Sequence, residues 1–170
     1  MPKVLVVDDE DMIRSALTKI LVSQGYDVFL ARNGKEGLLA CRDLPDIVIL
    51  DVDMPGLSGF KVLEALREEP DTKNLPVVML TSTPPLQGEQ LAMNLGVSHY
   101  LTKPWTLGMV ESVVRVALWE AKVARGETGD TSGYLKPTRK KKRKVKAERK
   151  THPDIIMPDK GDTSDTSPDD

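Results

Sequence analysis

The chain has 170 residues, a formal net charge of −2 and a hydrophobic fraction of 39%. This length allows one ordinary domain with an appendage, and no stretch approaches the roughly 18 consecutive apolar residues of a transmembrane helix. The N-terminus lacks the organisation of a signal peptide and the single Cys41 cannot form an internal disulfide, so secreted and integral membrane proteins are disfavoured and a reducing cytoplasm is expected.

Short runs rich in Val, Ile and Leu alternate with longer amphipathic stretches through the first 125 residues. The near-continuous apolar character of three of these runs is typical of strands that are covered on both faces. The alternation predicts an α/β domain with a parallel sheet, right-handed crossovers and helices on both faces. The five predicted strands lie at 4–7, 26–30, 47–50, 77–80 and 100–101.

Each predicted strand is followed by a helix pattern. The first helix is expected to end at Gly25, and Asn33 and Ser58 are the predicted N-caps of the second and third helices. The fourth helix is predicted from about Gln87 to Asn94. The fifth is expected to begin near Pro104, because proline is favoured in the first turn. Its predicted inward face consists of Leu107, Val110, Val113, Val114, Ala117 and Leu118.

Beyond Arg125 the helical apolar pattern stops, and too little apolar area is present to offset the entropy of ordering the chain. We therefore predict a folded domain at 1–124 and a disordered, low-complexity tail at 125–170. The charge of this tail is divided. Residues 136–150 carry ten basic residues and one acid, whereas residues 151–170 carry one lysine and six aspartates.

Polar side chains follow the predicted strands at the points where the strands end. Asp8 and Asp9 follow the first strand, Asp51 the third, Thr81 the fourth and Lys103 the fifth. Because the carboxyl ends of parallel strands share one edge of a sheet, we expect these groups to lie in one crevice. Clustered carboxylates need a cation or raised pKa values, and Mg²⁺ suits a few such ligands. The predicted chemistry is phosphoryl transfer to a carboxylate, with Asp51 as nucleophile.

Four stretches of sequence carry a family resemblance: VLVVDDE at 4–10, DIVILDVDMPGLSGF at 46–60, VVMLTS at 77–82 and HYLTKPW at 99–105. In this order the chain resembles the response regulator receiver domains of two-component signalling over about residues 1–124. The resemblance implies a flavodoxin-like (βα)5 fold with strand order 2-1-3-4-5. It also implies a cytoplasmic phosphoacceptor, not an enzyme, that receives its phosphoryl group from a histidine kinase or a histidine phosphotransfer protein.

The resemblance further implies a Mg²⁺ site. Asp8 and Asp9 would hold the ion, and Asp9 would be the more direct ligand. Asp51 would be both phosphoacceptor and ligand, and the backbone carbonyl of Asp53 would complete the set. The side chain of Asp53 either borders the path of a hydrolytic water, and so alters the phosphate lifetime, or is a solvated loop acid.

Switching is implied by the residues after the fourth and fifth strands. Thr81 would hydrogen-bond the phosphoryl group and Lys103 would pair with it. Tyr100 would turn inward when Thr81 moves, and the surface of the fourth helix, fifth strand and fifth helix would change shape. The Lys103-Pro104 bond is expected to be cis. The prolines at 84 and 85 depart from the family pattern and predict a stiffer loop and a later start of the fourth helix.

The tail leaves several functions open. The basic residues of Lys136 to Lys150 could contact the phosphates of nucleic acid or an anionic membrane surface, or the tail could fold back on acidic parts of the chain. We expect a stand-alone regulator that acts on a protein target and could pair into a homodimer. The competing hypotheses are a phosphorylation-gated nucleic-acid or membrane binder, a small phosphate-ester hydrolase, and a degenerate receiver that binds partners without phosphate.

Overall fold

The computed structural model describes residues 1–82 and 85–127, and for residues 85–87 it describes the backbone only. The predicted disorder of the tail beyond 127 lies outside these residues. So do the predicted roles of the basic run at 136–150 and of the acidic run at 151–170, and the effect of Pro84 on the loop. The division of the chain after residue 124 stays a prediction.

Five parallel strands form one sheet in the order β2-β1-β3-β4-β5, as the sequence predicts. Strands and helices alternate along the described residues, with a short 3-10 turn at Cys41–Asp43 after the second helix. The strands are β1 (Lys3–Val7), β2 (Asp27–Ala31), β3 (Ile47–Asp51), β4 (Val77–Thr81) and β5 (His99–Thr102). The helices are α1 (Asp11–Ser23), α2 (Gly34–Ala40), α3 (Gly59–Glu68), α4 (Pro85–Asn94) and α5 (Leu107–Ala124).

The core has two halves, one on each face of the sheet. Side chains of a strand alternate between faces, so Val4 and Val6 of β1 face α1 and α5, whereas Leu5 and Val7 face α2, α3 and α4. The residues of β3 and β4 are buried throughout, while β2 forms an exposed edge. This burial explains why the central strands are continuous apolar runs in the sequence.

The helix ends differ from the predictions at several points. Asn33 caps α2 as expected, because its side chain accepts a hydrogen bond from the backbone N–H of Glu36 at 2.9 Å. Ser58 occupies the N-cap position of α3, but its side chain makes no capping hydrogen bond. Glu10 occupies the N-cap position of α1, and its side chain makes no capping hydrogen bond.

The starts of the last two helices were predicted wrongly. Helix α4 begins at Pro85, two residues before the predicted start near Gln87, since a proline in the first turn lacks only an N–H that would have no partner there. Helix α5 begins at Leu107 rather than near Pro104, because Thr106 caps it by accepting from the backbone N–H of Met109 at 3.2 Å. Leu107 is consequently 37% exposed instead of facing inward. Within the described ranges, no helix combines the length and the apolar composition needed to cross a bilayer.

Candidate functional site

Three carboxylates converge at the carboxyl edge of the sheet. Val7, the last residue of β1, pairs with Leu50 of β3, so Asp8 and Asp51 extend from neighbouring strands at the same level. One oxygen from each of Asp8, Asp9 and Asp51 lies within 4.8 Å of the others. Asp8 and Asp51 are buried, while Asp9 is exposed. The structure therefore brings these acids together in one crevice, as the sequence predicts.

The turn from β1 into α1 is held by a buried arginine. The guanidinium of Arg14 donates to the backbone carbonyl of Asp8 and pairs with the carboxylate of Asp11. The side chain of Asp8 accepts from the backbone N–H of Glu10 at 2.8 Å. Sequence reasoning missed Arg14, although it falls on the same face of α1 as the buried Leu17 and Leu21. A charged side chain on the buried face of a helix indicates a polar contact in the interior, because an unpaired buried charge is unfavourable.

Burial and the repulsion between like charges both affect the carboxyl groups of this cluster. Burial raises the pKa of Asp51 to about 7, the charge of Asp8 adds to the rise, and Lys103 opposes it. Burial also raises the pKa of Asp8, while its hydrogen bond from Glu10 acts in the opposite direction. Burial and mutual repulsion both disfavour the ionised form of a carboxyl group. A bound cation would relieve both effects.

Lys103 brings positive charge to this edge. Its Nζ atom lies 3.6 Å from Oε1 of Glu10, and its charge opposes the rise that burial causes in the pKa values of Asp8 and Asp51. The bond between Lys103 and Pro104 is cis. Sequence reasoning did not single out Glu10, whose only signal was its place directly after the two aspartates.

The carboxylate of Asp53 contacts the end of β4. Its Oδ2 atom accepts hydrogen bonds from the hydroxyl of Thr81 at 3.2 Å and from the backbone N–H of Ser82 at 2.8 Å. Thr81 is fully buried, so this contact fixes its hydroxyl at the edge of the cluster. Neither interpretation that the sequence left open for Asp53 included this contact, which joins the loop after β3 to the loop after β4.

Tyr100 of β5 lies beside Thr81. Its ring packs against the core half that contains α3 and α4, and its hydroxyl oxygen is buried. Burial raises the pKa of this hydroxyl, and interaction with the Thr81 side chain acts in the opposite direction. His99, the neighbouring residue on β5, belongs to a different environment, with its Nε2 atom 3.3 Å from Oε2 of Glu120.

The donor set at the cluster fits a hard divalent cation. Carboxylate oxygens are the ligands that Mg²⁺ prefers, and a site with few protein ligands leaves room for water and a phosphoryl oxygen. Burial, followed by the charges of the neighbouring acids, raises the pKa of Asp51 more than Lys103 lowers it. Asp8, Asp9 and Asp51 could therefore hold a metal ion.

Comparison with known proteins points to one family. A model of the response regulator receiver domain matches residues 4–115. The chain is 39% identical over 120 residues to a probable transcriptional regulator, ycf27, of Pyropia yezoensis, covering 70% of this chain and 48% of that protein. It is 40% identical over 103 residues to the response regulator PleD of Caulobacter vibrioides, covering 60% and 23%. The chain thus spans about half the length, or less, of these curated relatives.

Solved structures agree with this assignment. The chemotaxis protein CheY4 of Vibrio cholerae matches with a TM-score of 0.65 and 31% identity over 69% of this chain and 98% of that one. A response regulator receiver domain protein of Clostridium thermocellum matches with a TM-score of 0.68 and 31% identity over 73% and 99%. These matches confirm the receiver fold that the sequence motifs imply.

Proposed function

Since the chain belongs to the response regulator receiver domain family of two-component systems, we propose that it accepts a phosphoryl group on Asp51 and transmits this event by a conformational switch. The observation that carries the proposal is the convergence of Asp8, Asp9 and Asp51 within 4.8 Å. An aspartate that must accept a phosphoryl group needs such a charged, metal-binding surrounding. The chain would act as a phosphoacceptor that assists its own phosphorylation, not as an enzyme that turns over free substrate.

The carboxylates of Asp8, Asp9 and Asp51, with the backbone carbonyl of Asp53, would hold Mg²⁺, which when bound supplies positive charge to offset the carboxylates and the phosphoryl oxygens. Asp8 and Asp51 project from neighbouring strands of a rigid sheet. The cluster is therefore oriented before any ligand arrives, which lowers the cost of binding. Among the three acids, the exposed Asp9 is the one that a hydrated ion would meet first.

In the proposed reaction, a carboxylate oxygen of Asp51 forms a bond to phosphorus as the bond from phosphorus to a histidine nitrogen of the donor breaks. The bonding electron pair leaves with that nitrogen. Asp51 has to be ionised to react, and Lys103 favours the ionised form by opposing the rise of its pKa. Charge neutralisation and positioning supply most of the catalysis in such transfers.

The proposed response begins at Thr81. A phosphoryl group on Asp51 would attract the hydroxyl of Thr81 and the ammonium of Lys103, which now contact Asp53 and Glu10. Exchange of these partners would shift the loops after β4 and β5, which carry the signal to the surface of α4, β5 and α5. The shift is a change of population between two arrangements, driven by a local change of charge.

Receiver domains are phosphorylated by histidine kinases or phosphotransfer proteins, and we propose a donor of that class here. The only histidine within the described ranges, His99, is paired with Glu120, which agrees with a donor histidine on another protein. A cytoplasmic site of action is proposed because the unpaired Cys41 suits a reducing compartment.

The proposal is tested by intact-mass spectrometry after incubation with acetyl phosphate and Mg²⁺. The wild type should gain one phosphoryl group per chain, and Asp51→Asn should gain none. Asp43→Asn is a matched control, because Asp43 is an exposed aspartate of the 3-10 turn that precedes β3. Chelation with EDTA should abolish the gain in wild type and control alike.

Three results would contradict the proposal. The first is no mass gain in a wild type whose circular dichroism shows an intact fold, which would leave the site without phosphoacceptor activity. The second is continued release of product from a generic phosphate ester over many turnovers, which would favour the ester hydrolase instead. A gain that survives in Asp51→Asn would move the phosphoacceptor to another residue.

A further inference from the structure

A glycine in the middle of α4 lies directly against the hydroxyl of Tyr100. A Cβ atom built on Gly88 would stand 2.3 Å from the Oη atom of Tyr100 and 3.2 Å from Cζ of Phe60. Non-bonded carbon and oxygen atoms do not approach so closely, so a side chain at position 88 and the present position of the tyrosine hydroxyl exclude one another. Gly88 itself is buried under these two rings.

Helix formation does not explain a glycine at this place. Gly88 has no positive φ, so its backbone conformation is open to any residue. Glycine within a helix is destabilising relative to alanine because it loses more backbone freedom on folding. A glycine at position 88 instead permits the close approach of Tyr100.

We propose that Gly88 is a positioning residue of the switch, because its missing side chain leaves the space in which Tyr100 lies inward beside Thr81. The link between the position of Tyr100 and phosphorylation rests on the proposed function, whereas the steric role of Gly88 does not. The size of residue 88 would then set the balance between inward and outward Tyr100.

Tyr100 is the group expected to move when this space is filled. Helix α4 is anchored one turn after Gly88 by Ala92, which is completely buried. Phe60 is likewise packed against the core from α3. Tyr100 is half-buried, as Phe60 is, but its Oη atom is the one that the new Cβ would meet at 2.3 Å, while Cζ of Phe60 lies 3.2 Å away. In Gly88→Ala the ring should therefore leave its pocket while the helix stays in place.

The decisive measurement is fluorine NMR of the full chain labelled with 3-fluorotyrosine. The sequence contains three tyrosines, so three signals are expected, and Tyr100→Phe identifies the one from Tyr100. In the unphosphorylated wild type, this signal should show the small H2O-to-D2O shift of a shielded ring. In Gly88→Ala it should acquire the larger solvent shift of an exposed ring.

A second helical glycine provides the matched control. A Cβ atom on Gly108, in the first turn of α5, would meet nothing closer than Oγ1 of Thr106 at 4.0 Å. Gly108→Ala should therefore leave the Tyr100 signal unchanged. An unchanged Tyr100 signal in a folded Gly88→Ala variant would overturn the proposal, because it would mean that α4 moves instead of the tyrosine.

Removing the Oη atom of Tyr100 tests whether Gly88→Ala acts through a steric clash with that atom or through general damage to α4. Gly88→Ala should lower the melting temperature in the wild-type background. In the Tyr100→Phe background the same change should no longer lower it, because the Oη atom that the new Cβ would meet is absent. An equal fall in both backgrounds would contradict the role assigned to Gly88.

The same samples distinguish this inference from the proposed function. Gly88→Ala should still gain one phosphoryl group from acetyl phosphate, since residue 88 is not part of the acidic cluster, and its Tyr100 signal should stay at the exposed position after phosphorylation. A wild type that gains no phosphoryl group would refute the proposed function. The fluorine signals of the unphosphorylated proteins would still decide whether Gly88 positions Tyr100.

Discussion

The carboxylate of Asp53 accepts a hydrogen bond from the backbone N–H of Ser82 at 2.8 Å. The same oxygen accepts from the hydroxyl of Thr81 at 3.2 Å. The protein thus places an anion of its own at the hydroxyl that, in the proposed function, a phosphoryl group on Asp51 would engage. Asp53 also raises the pKa of Asp51 by its charge, so it adds to the repulsion that an arriving phosphoryl group meets.

Asp53→Asn should therefore accelerate phosphorylation. The substitution removes the negative charge and weakens the hold on Thr81, while the backbone carbonyl proposed as a metal ligand remains. A hydrogen bond to a charged group contributes about 1.5 kcal/mol, which corresponds to roughly a tenfold change in an equilibrium or rate. We expect the rate of phosphoryl uptake from acetyl phosphate, followed by intact mass, to rise about 3- to 10-fold.

Asp43→Asn serves as the charge-matched control, since it also removes one negative charge but from an exposed residue of the 3-10 turn before β3. Its uptake rate should equal that of the wild type. If both variants accelerate equally, net charge and not the contact with Thr81 governs the rate. An unchanged or lower rate in Asp53→Asn would show that Asp53 does not compete for Thr81.

Asp51→Asn should stabilise the fold at neutral and alkaline pH when divalent cations are absent. The pKa of Asp51 is raised to about 7 by burial, whereas an aspartate in the unfolded chain titrates near about 4. The folded chain therefore binds more protons than the unfolded chain between these values. The stability associated with Asp51 is fully present below about pH 4 and is lost as pH rises towards about pH 7.

The free energy of unfolding, measured with urea in EDTA, should show this difference. Asp51→Asn should exceed the wild type by roughly 2 kcal/mol at about pH 8, and the two proteins should converge near about pH 4. Asp43→Asn should follow the wild type at every pH. A stability difference that does not vary with pH would mean that titration of Asp51 is not its source.

Much of the fold and of the acidic cluster could be predicted because both depend on local sequence. The buried strands β1 and β3 are continuous apolar runs, and Asp8 and Asp51 follow them at the edge where parallel strands end. The apolar pattern of the sequence indicates which strand residues are buried beneath the helices. The parallel direction of the strands places their carboxyl ends, and the acids there, at one edge of the sheet. These two rules bring the acids of the cluster together without knowledge of any loop.

The contacts between loops could not be predicted in the same way. The hydrogen bond from Ser82 to Asp53 joins residues 29 apart, and the approach of Gly88 to Tyr100 depends on where α4 lies over β5. The first contact depends on the paths of two loops with no apolar period, and the second depends on the packing of a helix whose pattern predicts its existence but not its position over the sheet. The start of α5 was missed for a related reason, because Pro104 and Thr106 each carry a helix-start signal and only Thr106 caps the helix.

Magnesium should stabilise the folded chain. An ion that binds the native state alone raises the free energy of unfolding by RT ln(1 + [L]/Kd), which is about 1.4 kcal/mol at a concentration ten times Kd. The melting temperature should therefore rise with MgCl2 but not with an equal ionic strength of NaCl. Asp9→Asn should lose this response with little change in the ion-free melting temperature, because Asp9 is exposed. A response to MgCl2 that persists in Asp9→Asn would exclude Asp9 as a ligand.

A half-buried arginine outside the acidic cluster should contribute strongly to the free energy of unfolding. The guanidinium of Arg67, on α3, donates to four backbone carbonyls at distances of 2.9–3.3 Å. Two of these belong to the segment after α4 and two to the segment before β4. The four carbonyls are those of Leu95, Gly96, Thr72 and Leu75.

Arg67→Met should lower the free energy of unfolding by about 2–4 kcal/mol, because methionine fills similar space but removes the guanidinium donors from these carbonyls. Lys61→Met on the same helix is the control. Lys61 is 65% exposed and forms a surface salt bridge with Glu64, so its loss should change the free energy of unfolding far less than the loss of Arg67 does. Urea unfolding at neutral pH measures both changes. Equal small losses in the two variants would show that water replaces the guanidinium at the four carbonyls, and that the segments before β4 and after α4 do not depend on Arg67.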